Sequence, residues 1–444
     1  MCGIVGALLK DITSTAQLEN VNELLFHIMY SSRERGRDGY GYTVETNKEG
    51  YTFKSIIRGD PMVTQFFTKP FREGSMIANL RAEPTTEYVK DKTPEDQQPY
   101  GLGFWNVVHN GTIANDYELR SYEVKTTIDS AAIVEQLYHK ISPVTRMTKA
   151  IEGSYAILLQ QRDDLRILHV ICNYRPIWYI KTEFGLFFAS SAEFFPRGYY
   201  PKMVTPYTRN IFTDKGIMST SLLPDPNKRA LVVCSGGLDS VVAATKMIKE
   251  GYEVELIHFE YGSRAQGPEV VAVTDVANHL GCKLHFKDMT IYQQKDSPLL
   301  RDDGGVAGGE AGAEFAHEWV PARNLVMLSL AVAYAEANDF DVIALGNNLE
   351  EAGAYPDNEP EFIHRFNSIL PFAVQNGRQV RIEMPVGNLM KHEIVALGKR
   401  IGAPMHLTWS CYRNGDKHCG NCGPCYMRQT AFEINELEEV IEYV

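Results

Sequence analysis

From Ala230 onward the chain alternates short apolar runs with helical stretches, and this alternation restricts its fold more than any other feature. Ala230 to Cys234 is an apolar run that opens into Ser235-Gly236-Gly237. A helix is expected from about Leu238 to Lys249, a strand over Glu253 to Phe259 and a helix near Glu269 to Leu280. A further helix, Ala322 to Ala337, precedes a strand at Asp341 to Leu345. Strands separated by helices imply a parallel, doubly wound sheet of Rossmann-like α/β type. Asp302 to Ala313 is Gly-rich and reads as a mobile loop, and Phe432 to Val444 reads as a short acidic amphipathic helix.

The first half has a different texture. It runs to about Met218 and is rich in β-branched and aromatic runs, such as Tyr155 to Leu159 and Leu165 to Val170, with a helical stretch at Ser130 to Ile141. This predicts mixed α+β sheets. Pro224 and Pro226 mark residues 219–229 as a linker. A chain of 444 residues exceeds one ordinary core. Two domains are expected, 2–218 and 230–444.

Hydrophobic content of 44% and charged content of 23% suit a soluble globular protein. No apolar run approaches a membrane span, and the start of the sequence lacks a basic stretch followed by a cleavage site, so a cytoplasmic location is expected. The net charge of −12 disfavours broad binding to nucleic acid, although a local basic patch stays open. Oligomeric state is not readable; a homo-oligomer is left open.

The sequence begins Met1-Cys2-Gly3-Ile4-Val5-Gly6. Removal of Met1 would place a thiol and a free α-amino group on one residue. The α-amino group titrates near pH ~8, so it can serve as the base for the thiol beside it. The bland alternative for Cys2 is a buried thiol. His109-Asn110-Gly111 could supply an amide N–H from Asn110 and a backbone N–H from Gly111 to an oxyanion. Its bland alternative is a hairpin turn. Arg81 suits a substrate carboxylate, because guanidinium binds carboxylate bidentately. Asp129 could hold an ammonium group. Arg35-Gly36-Arg37-Asp38-Gly39 is a loop able to approach a ligand closely.

In order along the chain, MCGIVG, RGRDGYG, LRAEPT, HNGTI, IDS and FASS resemble the class II glutamine amidotransferases over roughly Cys2 to Ser191. The resemblance implies an N-terminal-nucleophile fold with αββα layers. It implies that Cys2 attacks the glutamine amide and that Asn110 and Gly111 form the oxyanion hole. Arg81 would bind the substrate carboxylate and Asp129 its α-amino group. The usual Pro of the RGPDG loop is Arg37 here, and Ala-Glu-Pro-Thr follows Arg81.

Ser235-Gly236-Gly237-Leu238-Asp239-Ser240 sits where a strand gives way to a helix, so backbone N–H groups and a helix N-terminus converge on an anion site. The lysine of the GxxxxGK[ST] loop is missing. SGGLDS resembles the PP-loop of ATP pyrophosphatases. That resemblance implies ATP bound by Ser235, Gly236, Gly237, Asp239 and Ser240, with Asp239 helping to hold Mg²⁺.

Four of the eight cysteines, Cys411, Cys419, Cys422 and Cys425, have the spacing C-x7-C-x2-C-x2-C. Four thiolates at knuckle spacing suit a closed tetrahedral structural Zn²⁺ site, a C-terminal zinc knuckle. An iron–sulfur cluster is the alternative. Cys172, Cys234 and Cys282 stand alone and read as core thiols.

The second half resembles the 7-cyano-7-deazaguanine synthases. The matching segments are SGGLDS, Tyr261-Gly262 with Glu269, Val320 to Asn324, Tyr355-Pro356-Asp357 with Pro360-Glu361-Phe362, Lys391, and Thr408 to Tyr412 leading into the cysteines. The resemblance implies that ATP and ammonia convert 7-carboxy-7-deazaguanine to the amide and then the nitrile. Arg323, Asp357, Glu361 and Lys391 would then lie near substrate or ATP. A non-enzymatic interaction scaffold derived from such an enzyme stays open, as do three enzymatic alternatives. One is archaeosine-type amidine formation by ammonia addition to 7-cyano-7-deazaguanine, free or in tRNA or DNA. The others are asparagine-synthetase-like amidation, which the cysteines and the YPD and PEF segments oppose, and ligation of a deazaguanine to a protein acceptor.

Overall fold

The computed structural model describes residues 2–57, 71–83, 88–138, 143–301, 305–306, 308–309, 318–352 and 355–444. The chain divides into two compact units, one ending at Pro224 and the other Asp225–Val444.

The first unit contains two antiparallel sheets. Among the described residues, one sheet has the strand order Lys202–Met203, Trp178–Lys181, Gly185–Ala189, Gly3–Leu9, Gly74–Arg81, Gly39–Glu45, Gly50–Ser55. The other runs Ile217–Ser221, Thr208–Thr213, Ile167–Cys172, Gly153–Gln161, Trp105–Ile113, Tyr100–Leu102. Side chains alternate across a strand, and Gly3–Leu9 uses both faces. Val5, Ala7 and Leu9 share a cluster with Val21, Leu25 and Ile28 of the helix Thr15–Ser32. Ile4 and Leu8 share another with Val108, Leu158 and Val170 of the second sheet. The far face of that sheet, through Val107, Ile157 and Leu159, meets Ile133, Val134 and Met147 of the helices Ala131–Tyr138 and Pro143–Ala150. The result is the four-layered αββα arrangement. Ser14 starts the first helix with a reciprocal capping box to Gln17.

The second unit is built on a parallel sheet ordered Lys283–Asp288, Glu253–Glu260, Arg229–Val233, Val342–Ala344, Arg381–Glu383. The chain starts at Arg229–Val233, winds one way through two strands, then returns to the other side. That reversal leaves a crevice outside the carboxyl ends of Arg229–Val233 and Val342–Ala344, where ligands settle in such sheets.

Three local expectations change. Ser219 to Ser221, expected in a linker, belong to the edge strand Ile217–Ser221 and pair with Thr208–Asn210. The C-terminal helix is Gly423–Ile434 rather than Phe432 to Val444, and Val444 N bonds the His418 carbonyl instead. His109-Asn110-Gly111 is no turn: it lies within the strand Trp105–Ile113, with Asn110 opposite Ala156 and Gly111 opposite Tyr155. Most of the Gly-rich stretch Asp302 to Ala313 lies outside the described residues.

Candidate active sites

The strand register of the first unit gathers residues far apart in sequence. Gly3 pairs with Leu80, which sets Cys2 beside the end of Gly74–Arg81. Cys2 Sγ lies 3.7 Å from the Ala82 carbonyl oxygen. The strand start is held by Ser190, whose hydroxyl accepts from Ile4 N at 2.8 Å. Arg35 Nη1 donates to the Ser190 carbonyl at 2.9 Å. The RGRDG loop clasps the same strand end: Asp38 N donates to the Arg81 carbonyl at 2.8 Å, and Asp38 Oδ2 accepts from Glu83 N at 3.0 Å. Arg37, which replaces the family proline, is exposed.

Cys2, Arg81, Asn110, Gly111 and Asp129 all line one cavity of about 200 Å³. Burial pushes the Cys2 thiol above its usual range, partly offset by the Arg81 charge. Asn110 is buried and, among the described residues, its side-chain Nδ2 has no hydrogen-bond partner, so this donor is uncommitted. Gly111 has φ +150°, and a Cβ there would fall 1.9 Å from the Ser154 carbonyl oxygen, so no other residue fits. Asp129 Oδ2 accepts from Ile113 N at 2.6 Å and Oδ1 from the Ser130 hydroxyl at 3.0 Å. The cavity also takes in Gln98, Ser130 and Arg175. Ser130 closes the IDS segment, whereas Gln98 and Arg175 carry no motif signal of their own. Only the fold brings them in.

In the second unit the crevice is a cavity of about 250 Å³. Ser235, Gly237, Asp239 and Ser240 line it at the start of the helix Leu238–Lys249. Gly237 N donates to Ser235 Oγ at 3.2 Å, and Ser240 Oγ donates to the Gly237 carbonyl at 3.0 Å, which shapes the loop. Gly236 lies beneath it, its carbonyl accepting from Trp409 N at 2.9 Å. Gly346 must be glycine, because a Cβ there would sit 2.5 Å from Ser240 N. Lys391, at the start of the helix Lys391–Ile401, forms an ion pair with Asp239.

Arg323 lines the same cavity and donates to the Tyr261 hydroxyl at 3.3 Å. Burial pushes both Tyr261 and Glu269 upward, and Glu269 accepts from Ser263 Oγ at 2.9 Å. His258, which sequence reasoning passed over, also reaches the cavity. Its Nδ1 lies 2.9 Å from the Cys234 carbonyl and so carries the proton. Asp357 is buried behind the wall, accepting from Asn324 N at 3.3 Å, while its neighbour Asn358 reaches the cavity. Glu361 stays apart: it is exposed and pairs with Arg365 one helical turn on, at 2.6 Å. The helix Pro360–Ala373 turns that position outward.

The cysteine ligand atoms of Cys411, Cys419, Cys422 and Cys425 all lie within 4.8 Å of one another. The Cys411–Cys422 and Cys419–Cys425 sulfurs are 3.9 and 4.0 Å apart. A tetrahedral ion with metal–sulfur bonds of ~2.3 Å needs sulfurs ~3.8 Å apart, so the four fit one ion. Backbone N–H groups of Arg413 and Cys419 point at Cys411 Sγ, and those of Asn421 and Cys422 at Cys419 Sγ, at 3.3–3.4 Å. Such donors favour thiolate. Trp409, Ser410 and Tyr412, which flank Cys411, line the neighbouring cavity. Buried Arg428 ties this segment down through Thr408 Oγ1 at 2.6 Å and Ser410 Oγ at 3.1 Å.

Comparison with known proteins meets this geometry at both ends of the chain. The family described as "Queuosine biosynthesis protein QueC" matches residues 229–436, and "Glutamine amidotransferase domain" matches residues 85–197. The latter span includes Asn110, Gly111 and Asp129. An amidotransferase domain joined to a PP-loop synthase domain defines the class: a glutamine-dependent enzyme that forms C–N bonds. The 7-cyano-7-deazaguanine synthase 2 of Sulfurisphaera tokodaii is 41% identical over 462 residues, covering 100% of both chains. The 7-cyano-7-deazaguanine synthase of Saccharolobus solfataricus is 42% identical over 466 residues, covering 100% of this chain and 99% of its own. The chain belongs to the 7-cyano-7-deazaguanine synthase family. A shorter relative from Methanothrix thermoacetophila is 39% identical over 220 residues, 48% of this chain and 98% of its own. Among the described residues no helix is long and apolar enough to cross a membrane.

Proposed function

We propose that the first cavity hydrolyses glutamine and that the ammonia is channelled to a 7-carboxy-7-deazaguanine adenylated in the second. Supporting this reading is the convergence of Cys2, Arg81, Asn110, Gly111 and Asp129 on one small cavity in a chain of this family. The Cys2 thiol, raised by burial, is a poor thiolate source at neutral pH and needs a base beside it. The α-amino group freed by loss of Met1 is that base. The thiolate attacks the side-chain amide, and the negative charge that forms on oxygen is met by Asn110 Nδ2 and Gly111 N–H. Arg81 takes the substrate carboxylate and Asp129 its ammonium group. Ammonia leaves, and water releases glutamate from Cys2.

In the second cavity the loop Ser235–Ser240 and the helix N-terminus behind it hold the ATP phosphates. The substrate carboxylate attacks the α-phosphorus, pyrophosphate leaves, and ammonia displaces AMP to give the amide. The amide oxygen attacks a second ATP, pyrophosphate and one N–H proton leave, and loss of AMP and the remaining N–H proton gives the nitrile. Arg323 and Lys391 supply positive charge along this path, and Asp239 would hold Mg²⁺, which would neutralise phosphate charge. Asp357 acts by holding Asn324 in place. Zn²⁺ is the ion that suits Cys411, Cys419, Cys422 and Cys425; when bound it fixes Trp409, Ser410 and Tyr412 against the cavity.

Ammonia is mostly ammonium at neutral pH and is then no nucleophile, which gives channelled delivery its advantage. The protein is incubated with ATP-Mg, 7-carboxy-7-deazaguanine, amide-labelled ¹⁵N-glutamine and excess unlabelled ammonium. The expected product is the nitrile, by mass, carrying the label. Unlabelled nitrile sinks channelling, and no nitrile sinks the reaction.

A further inference from the structure

We propose that Ser130 and His109 form a buried relay that orients the Asp129 carboxylate and thereby sets the preference of the first cavity for an amide bearing an α-amino group. The inference rests on the glutaminase reading above.

Asp129 has both oxygens engaged, one by the Ile113 backbone and one by the Ser130 hydroxyl. The first bond fixes where the carboxylate is. The second fixes how it is turned, because rotation about the terminal torsion of Asp is otherwise soft. Ser130 is in turn held from two further directions. His109 Nδ1 lies 2.8 Å from its oxygen, and Gln98 Nε2 donates to it at 3.2 Å. His109 Nε2 faces the Ser154 carbonyl and so carries the ring proton, which leaves Nδ1 an acceptor; the single Ser130 proton is shared between it and Asp129 Oδ1, while Gln98 donates to the same oxygen.

His109 is itself immobilised. Its Nε2 lies 3.2 Å from the Ser154 carbonyl, and its backbone N–H donates to Gln98 Oε1 at 2.6 Å. Gln98, His109, Asp129 and Ser130 are all at most 7% exposed. The Ser154 carbonyl that meets His109 is also the atom that excludes a side chain from Gly111. One imidazole therefore abuts both the oxyanion pair and the amino anchor, and their spacing is set by a single rigid group. Ser130 and His109 touch no substrate in this scheme; they are positioning residues.

The test compares glutamine with glutaramate, which keeps the amide and lacks the α-amino group. kcat and KM are measured for both on the wild type, Ser130→Ala and Ser130→Thr. Loss of a hydrogen bond to a charged group should raise KM for glutamine about ten-fold in Ser130→Ala and narrow the glutamine-to-glutaramate ratio of kcat/KM by about the same factor. Ser130→Thr, which keeps the hydroxyl, restores the ratio. Equal losses on both substrates mark a merely structural role and overturn the relay. An unchanged ratio overturns it too, while leaving Cys2 as nucleophile. A wild type that hydrolyses no glutamine overturns both readings.

Discussion

Lys391 and Asp239 form an ion pair between the first turns of two helices, 152 residues apart in sequence. Their side chains are only 11% and 15% exposed, so neither charge is well solvated without the other. Asp239 belongs to the Ser235–Ser240 loop, so under the proposed function the ATP phosphates would compete for Lys391 and Mg²⁺ for Asp239. Asp239→Ala should abolish ATP cleavage with either glutamine or ammonia as nitrogen source, measured as pyrophosphate release. Cleavage that persists with ammonia removes Asp239 from the ATP site.

Cys2→Ala should abolish glutamine-dependent product while ammonia-dependent product survives. The thiol is replaced by a smaller side chain at a partly exposed position, so the fold should tolerate the change. Product formed from glutamine by this variant, read by mass, would end the case for Cys2 as nucleophile.

Asn110→Ala removes the uncommitted Nδ2 donor. Loss of one oxyanion donor typically costs 10²- to 10³-fold in kcat, so a fall of about that size is expected, with KM little changed. Glutamate release under saturating glutamine measures it. A rise in KM alone would make Asn110 a binding residue.

The four cysteine sulfurs predict about one zinc per chain by elemental analysis. Cys425→Ser should lower that stoichiometry and destabilise the segment Thr408 to Tyr412, and with it ATP-dependent activity. Iron with acid-labile sulfide would replace zinc by a cluster.

His169 gives the first unit an acid-sensitive point. It is buried, its ring centroid lies 5.6 Å from that of Trp105, and neither ring nitrogen has a hydrogen-bond partner among the described residues. Burial pushes its pKa down to about 4, against ~6.5 in an unfolded chain. Between these values the unfolded state binds the proton first. The stabilisation is therefore complete above pH ~6.5 and falls by at most ~1.4 kcal/mol per pH unit as pH drops toward the folded value. Thermal melts at pH 7 and pH 5 should show a smaller drop for His169→Phe than for the wild type. Equal drops would locate the acid sensitivity elsewhere.

Much of the fold was legible because the signals were local. The helix Leu238–Lys249 has the bounds its pattern predicts, and the strand Glu253–Glu260 differs by one residue. The misreadings were local rules overridden by tertiary pairing. Asn110-Gly111 has the composition of a hairpin turn, yet Gly153–Gln161 pairs along it and makes it strand. Ser219 to Ser221 read as linker beside Pro224, but an adjacent strand edge recruits them.

The site residues divide the same way. Spacing alone determined that Cys411, Cys419, Cys422 and Cys425 could close on one ion, and that Ser235 to Ser240 would join a strand to a helix, because both are short-range geometry. Which distant residues meet was a matter of register and layer packing. The pairing of Gly3 with Leu80 brings Cys2 to Arg81, the second sheet brings Asn110 to the same cavity, and a bond from Ile113 of that sheet holds Asp129 there from the turn before the helix Ala131–Tyr138. Glu361 and Lys391 were matched by equally plausible motifs. Helix rotation turned one toward solvent and set the other on Asp239, because a helix face is chosen by what packs against it and not by the residues it carries.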